Sequence, residues 1–126
     1  MKFIKSLTLL FSILLFINCS SEKDKFLEIN GKVINTDTKS ILLLKPGQFL
    51  DSDSIIELPV IDGKFHYKTK LDFPEAAELF LGEAKNNGGR PMALFLENTK
   101  INLTIYPENE FDKNIVDGGS VNAEYK

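Results

Sequence analysis

The chain of 126 residues has no tryptophan, one cysteine and one histidine. Each scarcity removes a class of chemistry. A single cysteine cannot close an intrachain disulfide, build a thiolate zinc centre or form a dithiol redox pair. The lone histidine, His66, excludes a multi-histidine metal site within one chain. Basic residues are outnumbered, 15 to 18, giving a formal charge of −3. That balance argues against a nucleic-acid partner, whose phosphates need a basic surface. Long apolar runs are also missing. The longest, residues 7–17, is about half the roughly 20 residues that a spanning helix requires.

What is present begins with that run. Lys2 and Lys5 make a basic start, and residues 7–17 are almost unbroken hydrophobic. Asn18, Cys19 and the polar stretch from Ser20 to Lys25 follow. The length fits the apolar region of a secretory signal. As a core helix it would be apolar on every side, with no face to meet water. The segment resembles a bacterial lipoprotein signal peptide, with Cys19 as the lipidated first residue of the mature protein. Phe16 and Asn18 depart from the leucine and small residue of the general pattern but resemble variants tolerated in the Bacteroidota. The alternative is an ordinary thiol beside a conventional cleavage site, and no small-x-small site stands nearby to support it. Lipidation of Cys19 implies attachment to a membrane through acyl chains such as palmitate. Each buried CH₂ contributes about 0.8 kcal/mol, and stable anchoring takes two signals. Loss of residues 1–18 as a helical signal peptide leaves 108 residues, enough for one domain. Lys2 and Lys5 leave with it, so the formal charge becomes −5. Residues 19–25 read as a tether.

Beyond the tether the pattern is β throughout. Strands are expected over residues 26–33, 40–45, 55–60, 64–70, 76–82, 91–97 and 100–106, with a short one near 114–117. Gly31 inside the first strand marks a bulge or a close backbone approach. Asp62-Gly63 is a two-residue hairpin signal, because the mirror-type turn needs φ > 0. Phe65 and Tyr67 alternate with Lys64, His66 and Lys68, which predicts a half-solvated strand. Ile101, Leu103 and Ile105 alternate inward. Residues 91–97 read as a buried strand. About eight short strands with regularly spaced turns predict an all-β domain, an antiparallel β-sandwich or open barrel, over residues 26–120.

The order of segments carries a resemblance. Ile29-x-Gly31-x-Val33 is followed by Ile61-Asp62-Gly63-Lys64-Phe65-x-Tyr67, then by Leu94-Phe95-Leu96-Glu97-Asn98 and Ile101-x-Leu103. Val116-Asp117-Gly118-Gly119-Ser120 and Asn122-x-Glu124-Tyr125 complete it. This pattern resembles the uncharacterised β-rich domain at the N-terminus of Bacteroidota periplasmic lipoproteins. In many of those proteins a thioredoxin-like domain of the peroxiredoxin and thiol-disulfide interchange type comes next. The resemblance implies a lipid-anchored envelope domain facing the periplasm. The Trp-Cys-x-x-Cys segment that carries the relatives' redox chemistry has no counterpart in this sequence, so no catalytic residue is carried over. Residues 121–126 are expected to start a connecting helix, with Ser120 as its N-cap.

Local constellations are weak. His66 sits between Lys64 and Lys68 on the expected solvated face, with no orienting partner for a catalytic base. Asp51, Asp53, Glu108, Glu110 and Asp112 offer hard oxygen ligands, but the calcium-loop pattern is missing and solvated loop charge is the better reading. Asn86-Asn87-Gly88-Gly89-Arg90 lacks the following helix of a phosphate cradle. It is read as a hairpin loop that is a candidate contact for a partner or ligand. No cofactor or metal is implied. Three functions compete: a binding or positioning module for an envelope protein or thioredoxin-like domain, the N-terminal part of a thiol-disulfide oxidoreductase, and a small-ligand receptor using an apolar pocket at the open end of the sandwich.

Overall fold

A computed structural model describes residues 25–125. The lipidation expected at Cys19, the signal segment and nearly all of the tether lie outside the described residues, as does Lys126. Eight strands form two four-stranded sheets with no closed barrel. The first sheet comprises β1 (Leu27–Val33), β4 (Lys64–Thr69), β7 (Lys100–Ile105) and β8 (Ile115–Asp117), in the order β4-β1-β7-β8. The second comprises β2 (Ser40–Leu44), β3 (Ile56–Pro59), β5 (Glu75–Leu81) and β6 (Met92–Leu96), in the order β3-β2-β5-β6.

Alternation places the core between the sheets. Leu27 and Ile29 from β1, and Ile101, Leu103 and Ile105 from β7, meet Ile41, Leu43, Leu79, Leu94 and Leu96 from the second sheet in one buried cluster. In β2 the four apolar residues are buried on both faces. Leu42 and Leu44 point away from that cluster and pack with Phe80 and Ala84, with Leu50 and Ile55 partly buried against them. The covering loop explains why β2 reads as a continuous apolar run. Residues 91–97, expected to be a buried strand, are buried on one face: Met92, Leu94 and Leu96 point in, and Ala93 is exposed.

Strand pairing is antiparallel with one difference from expectation. β1 and β7 run parallel, Ile29 opposite Ile101 and Gly31 opposite Leu103. The intervening chain visits the second sheet before β7 returns, and such a long crossover permits parallel pairing. The β4 hairpin forms as expected. Asp62 and Gly63 have φ of 51° and 72°. Ile61 and Lys64 exchange backbone hydrogen bonds of 2.9 and 3.0 Å. Gly31 is a close approach: it lies opposite Phe65 of β4, and a Cβ there would fall 1.9 Å from the ring. No helix among the described residues is long and apolar enough to cross a membrane.

Candidate functional site

Strand β6 is an edge of the second sheet, and an unpaired edge invites pairing with another chain. Here a side chain occupies it. Asn122 lies on a short helix, α2 (Ser120–Glu124), and is buried. Its Oδ1 accepts the Phe95 N–H at 2.8 Å, and its Nδ2 donates to the Phe95 carbonyl at 2.8 Å. Nδ2 also donates to the Gly118 carbonyl at 3.1 Å. The carboxamide thus presents the same donor and acceptor as a neighbouring strand. Asn98 repeats the device: it accepts the Leu71 N–H at 2.8 Å and donates to the Leu71 carbonyl at 2.7 Å.

Glu97 completes the latch. It accepts the Val121 N–H at 3.1 Å and the Ser120 hydroxyl at 3.1 Å. The carboxylate therefore serves one orphan amide at the start of α2, that of Val121, from across the fold. Ser120 is not the N-cap; Gly119 holds that place, and Ser120 is the first helical residue. The reason is the Gly118-Gly119 pair. Gly118 has φ of 115°, and a Cβ there would stand 2.2 Å from the Lys100 carbonyl oxygen. Gly119 has φ of 87°, with a Cβ 2.8 Å from Glu97 Oε1. Only glycines let the chain turn this close to β7 and deliver the helix to Glu97. Tyr125 then packs edge-on against Phe95, with ring centroids 5.1 Å apart.

Beside the latch is an open groove of about 510 Å³. Lys25 and Phe26, just before β1, line one part; Glu97, Thr99 and Ser120 line another. The segment that leads into β1 and the segment that leads into α2 therefore share one surface. Lys68 and Lys70 stand 5.2 and 5.9 Å from the Phe26 ring centre. The groove offers the exposed Lys25 ammonium, the Thr99 and Ser120 hydroxyls and the half-buried Glu97 carboxylate.

The candidate loop is more ordered than a plain hairpin loop. Residues 84–87 make one helical turn, α1 (Ala84–Asn87), closed by Gly88 at φ 68°. Four residues are too few to display helical periodicity in the sequence. Asn86 is exposed on this turn. The Arg90 N–H donates to Glu108 Oε1 at 2.8 Å, and its guanidinium lies 4.1 Å from the Phe111 ring centre. Both partners belong to the 3-10 helix Glu108–Lys113. Asn87, Gly88 and Gly89 join Thr36, Glu83 and Glu108 in lining a second open groove of about 460 Å³. Glu108 is thus engaged with Arg90, and Asp112 lies 3.9 Å from the guanidinium. Among the described residues no group of three or more His, Cys, Asp or Glu side chains is placed to hold a metal ion.

His66 is exposed on the outer face of the first sheet, 3.4 Å from Glu28 Oε1. Hydrogen bonds from Asn30 and then His66 hold the Glu28 carboxyl below its ordinary range. Sequence reasoning placed Asn98 and Asn122 in a recurring pattern without a role. The one signal available was Asn98 standing just beyond an expected strand end; Asn122 falls inside the expected helix.

A family model described as a domain of unknown function, DUF4369, matches residues 27–125. No curated protein and no solved structure gives a match.

Proposed function

The chain belongs to the DUF4369 family, and we propose that it is a non-catalytic, lipid-anchored cell-envelope domain that positions a partner, a thioredoxin-like redox domain or another envelope protein. The reading rests on one observation above others. The approach to β1, at Lys25 and Phe26, and the start of α2 line the same groove. In this proposal acyl chains on Cys19 hold the tether at the membrane, on the periplasmic side. The latch then fixes the direction in which α2 leaves. Asn98 and Asn122 direct their polar groups to backbone and Glu97 ties both the Val121 N–H and the Ser120 hydroxyl, which suits a rigid platform.

Two experiments test it. Cys19→Ala is expected to release the protein from the membrane fraction and to block lipoprotein processing; unchanged fractionation would refute the anchor. The tagged protein, isolated from envelopes under mild cross-linking, should retain a specific thioredoxin-like or envelope partner, and recovery of none counts against positioning. An alternative reading takes the domain as the N-terminal part of a thiol-disulfide oxidoreductase. It is supported by the resemblance alone, and an in-frame Cys-x-x-Cys codon pattern beyond Lys126 would establish it. A third reading, an envelope receptor for a small ligand, would place the ligand in an apolar pocket at the open end of the sandwich.

A further inference from the structure

Among the described residues no helix covers the outer face of the first sheet, and its side chains form three rows across the strands. Register places Lys68, Glu28 and Lys100 in one row. His66, Asn30, Asn102 and Asp117 make the next. Lys64, Lys32, Thr104 and Ile115 make the third. In the first row the Glu28 carboxylate stands between the two lysines and separates them. The third row has no such separation. Lys32 and Lys64 are direct cross-strand neighbours, and their row contains no carboxylate. Like charges placed directly opposite destabilise a sheet. Among the described residues neither lysine has an ion-pair partner. A local rule is broken here without a compensating contact inside the fold, and such breaks concentrate at functional positions.

The surroundings specify what would relieve the repulsion. A groove of about 420 Å³ is lined by Asn30, Lys32, Lys64, Asn102, Thr104 and Asp117. A second, of about 390 Å³, adjoins it and shares Asn30, Gly31 and Lys64. Two ammonium groups match the charge of a phosphomonoester, close to −2 near neutral pH. The amides of Asn30 and Asn102 and the Thr104 hydroxyl both donate and accept, and the Asp117 carboxylate accepts. That combination fits sugar hydroxyls. The face is also locally basic, four lysines against two carboxylates, in a chain with more acidic than basic residues.

We propose that the outer face of β4-β1-β7-β8 binds a phosphorylated saccharide, with Lys32 and Lys64 on the phosphate and Asn30, Asn102 and Thr104 on the sugar. The ligand is either a free sugar phosphate or the headgroup of a phosphorylated glycolipid. The test titrates the full chain with glucose 6-phosphate, glucose and inorganic phosphate, following amide resonances. Saturable shifts at residues 30, 32, 64, 102 and 104 are expected with glucose 6-phosphate. A parallel arm measures binding to phosphatidylcholine vesicles with and without a monophosphorylated diglucosamine lipid. A response in the vesicle arm alone assigns the headgroup source, and a response in solution assigns the free ligand. The double variant Lys32→Gln/Lys64→Gln should weaken binding about tenfold or more, as loss of charge-assisted hydrogen bonds implies. It should melt no lower than the wild type, because it removes a repulsion. Lys39→Gln, an exposed lysine elsewhere, should bind normally. Binding in neither arm, or binding unchanged in the double variant, overturns the proposal. Equal affinity for inorganic phosphate overturns its saccharide part.

Discussion

Asn122→Ala is expected to lower the melting temperature by about 10–20 °C. The side chain makes three hydrogen bonds to backbone, two to Phe95 and one to Gly118. Alanine would leave these groups without partners at a partly buried edge. An unsatisfied polar group costs about 1–3 kcal/mol, and water reaches part of this edge, so a total near 2–3 kcal/mol is reasonable. For a domain of this size each kcal/mol moves the midpoint by about 4–8 °C. Loss of the clamp should also free β6, and the variant should self-associate more readily than the wild type. Asn122→Asp separates donor from acceptor. Its carboxylate still accepts from Phe95 but meets the carbonyls of Phe95 and Gly118 with no hydrogen to give. Protonation restores one donor, so folding raises that carboxyl's pKa. Such a group destabilises the fold as pH rises from about 4 towards the folded value. Relative to wild type, Asn122→Asp should therefore be less impaired at about pH 4 than at pH 7. Thermal melts of the three proteins at both pH values measure this. A drop below about 3 °C for Asn122→Ala would mean that water replaces the clamp.

The legibility of this chain divides along a physical line. Side-chain period and turn chemistry are local, and what depends on them was readable. Ile101, Leu103 and Ile105 alternate into the core as their spacing implies, and Asp62-Gly63 adopts the positive φ values that a mirror-type turn needs. The eight strands follow from such signals, which fit a sandwich and an open barrel alike; the two separate sheets are what the structure adds. Strand direction is not local. The pattern of β7 is the same whether it runs parallel or antiparallel to β1, so the parallel pair was invisible. The buried outer face at Leu42 and Leu44 depends on where residues 45–55 fold back, which no period records. The latch is the hardest case. Asn122 and its partner Phe95 are 27 positions apart, as are Asn98 and Leu71. A carboxamide that imitates a strand has no propensity signature, and Ser120 looked like a cap because serine usually is one. Cross-strand register likewise brought Lys32 beside Lys64 although 31 residues lie between them, which a linear scan of charge does not reveal.

Gly31 is the position where a local clue and the three-dimensional reason coincide, and it supports the second large prediction. Glycine within a strand weakens it unless something uses the missing side chain. Here the Phe65 ring uses it. A Cβ on residue 31 would stand 1.9 Å from Cζ and 2.2 Å from Cε1, so the ring would have to vacate its place. Phe65 is buried in the main cluster, leaving it little room to move. Gly31→Ala is therefore expected to destabilise the domain by about 3 kcal/mol, the upper end of the range for overpacking. The larger Gly31→Val should prevent folding in most conditions. A general intolerance of the backbone at residue 31 would give the same single-variant result, so the partner must be varied too. Phe65→Leu alone removes ring atoms from the core and should cost about 1–2 kcal/mol. Combined with Gly31→Ala, the shorter side chain makes space for the new methyl. The double variant should then be more stable than the sum of the single losses predicts, by at least about 1 kcal/mol. Urea denaturation of the four proteins closes this cycle. Strict additivity would show that the ring is not what excludes a side chain at residue 31.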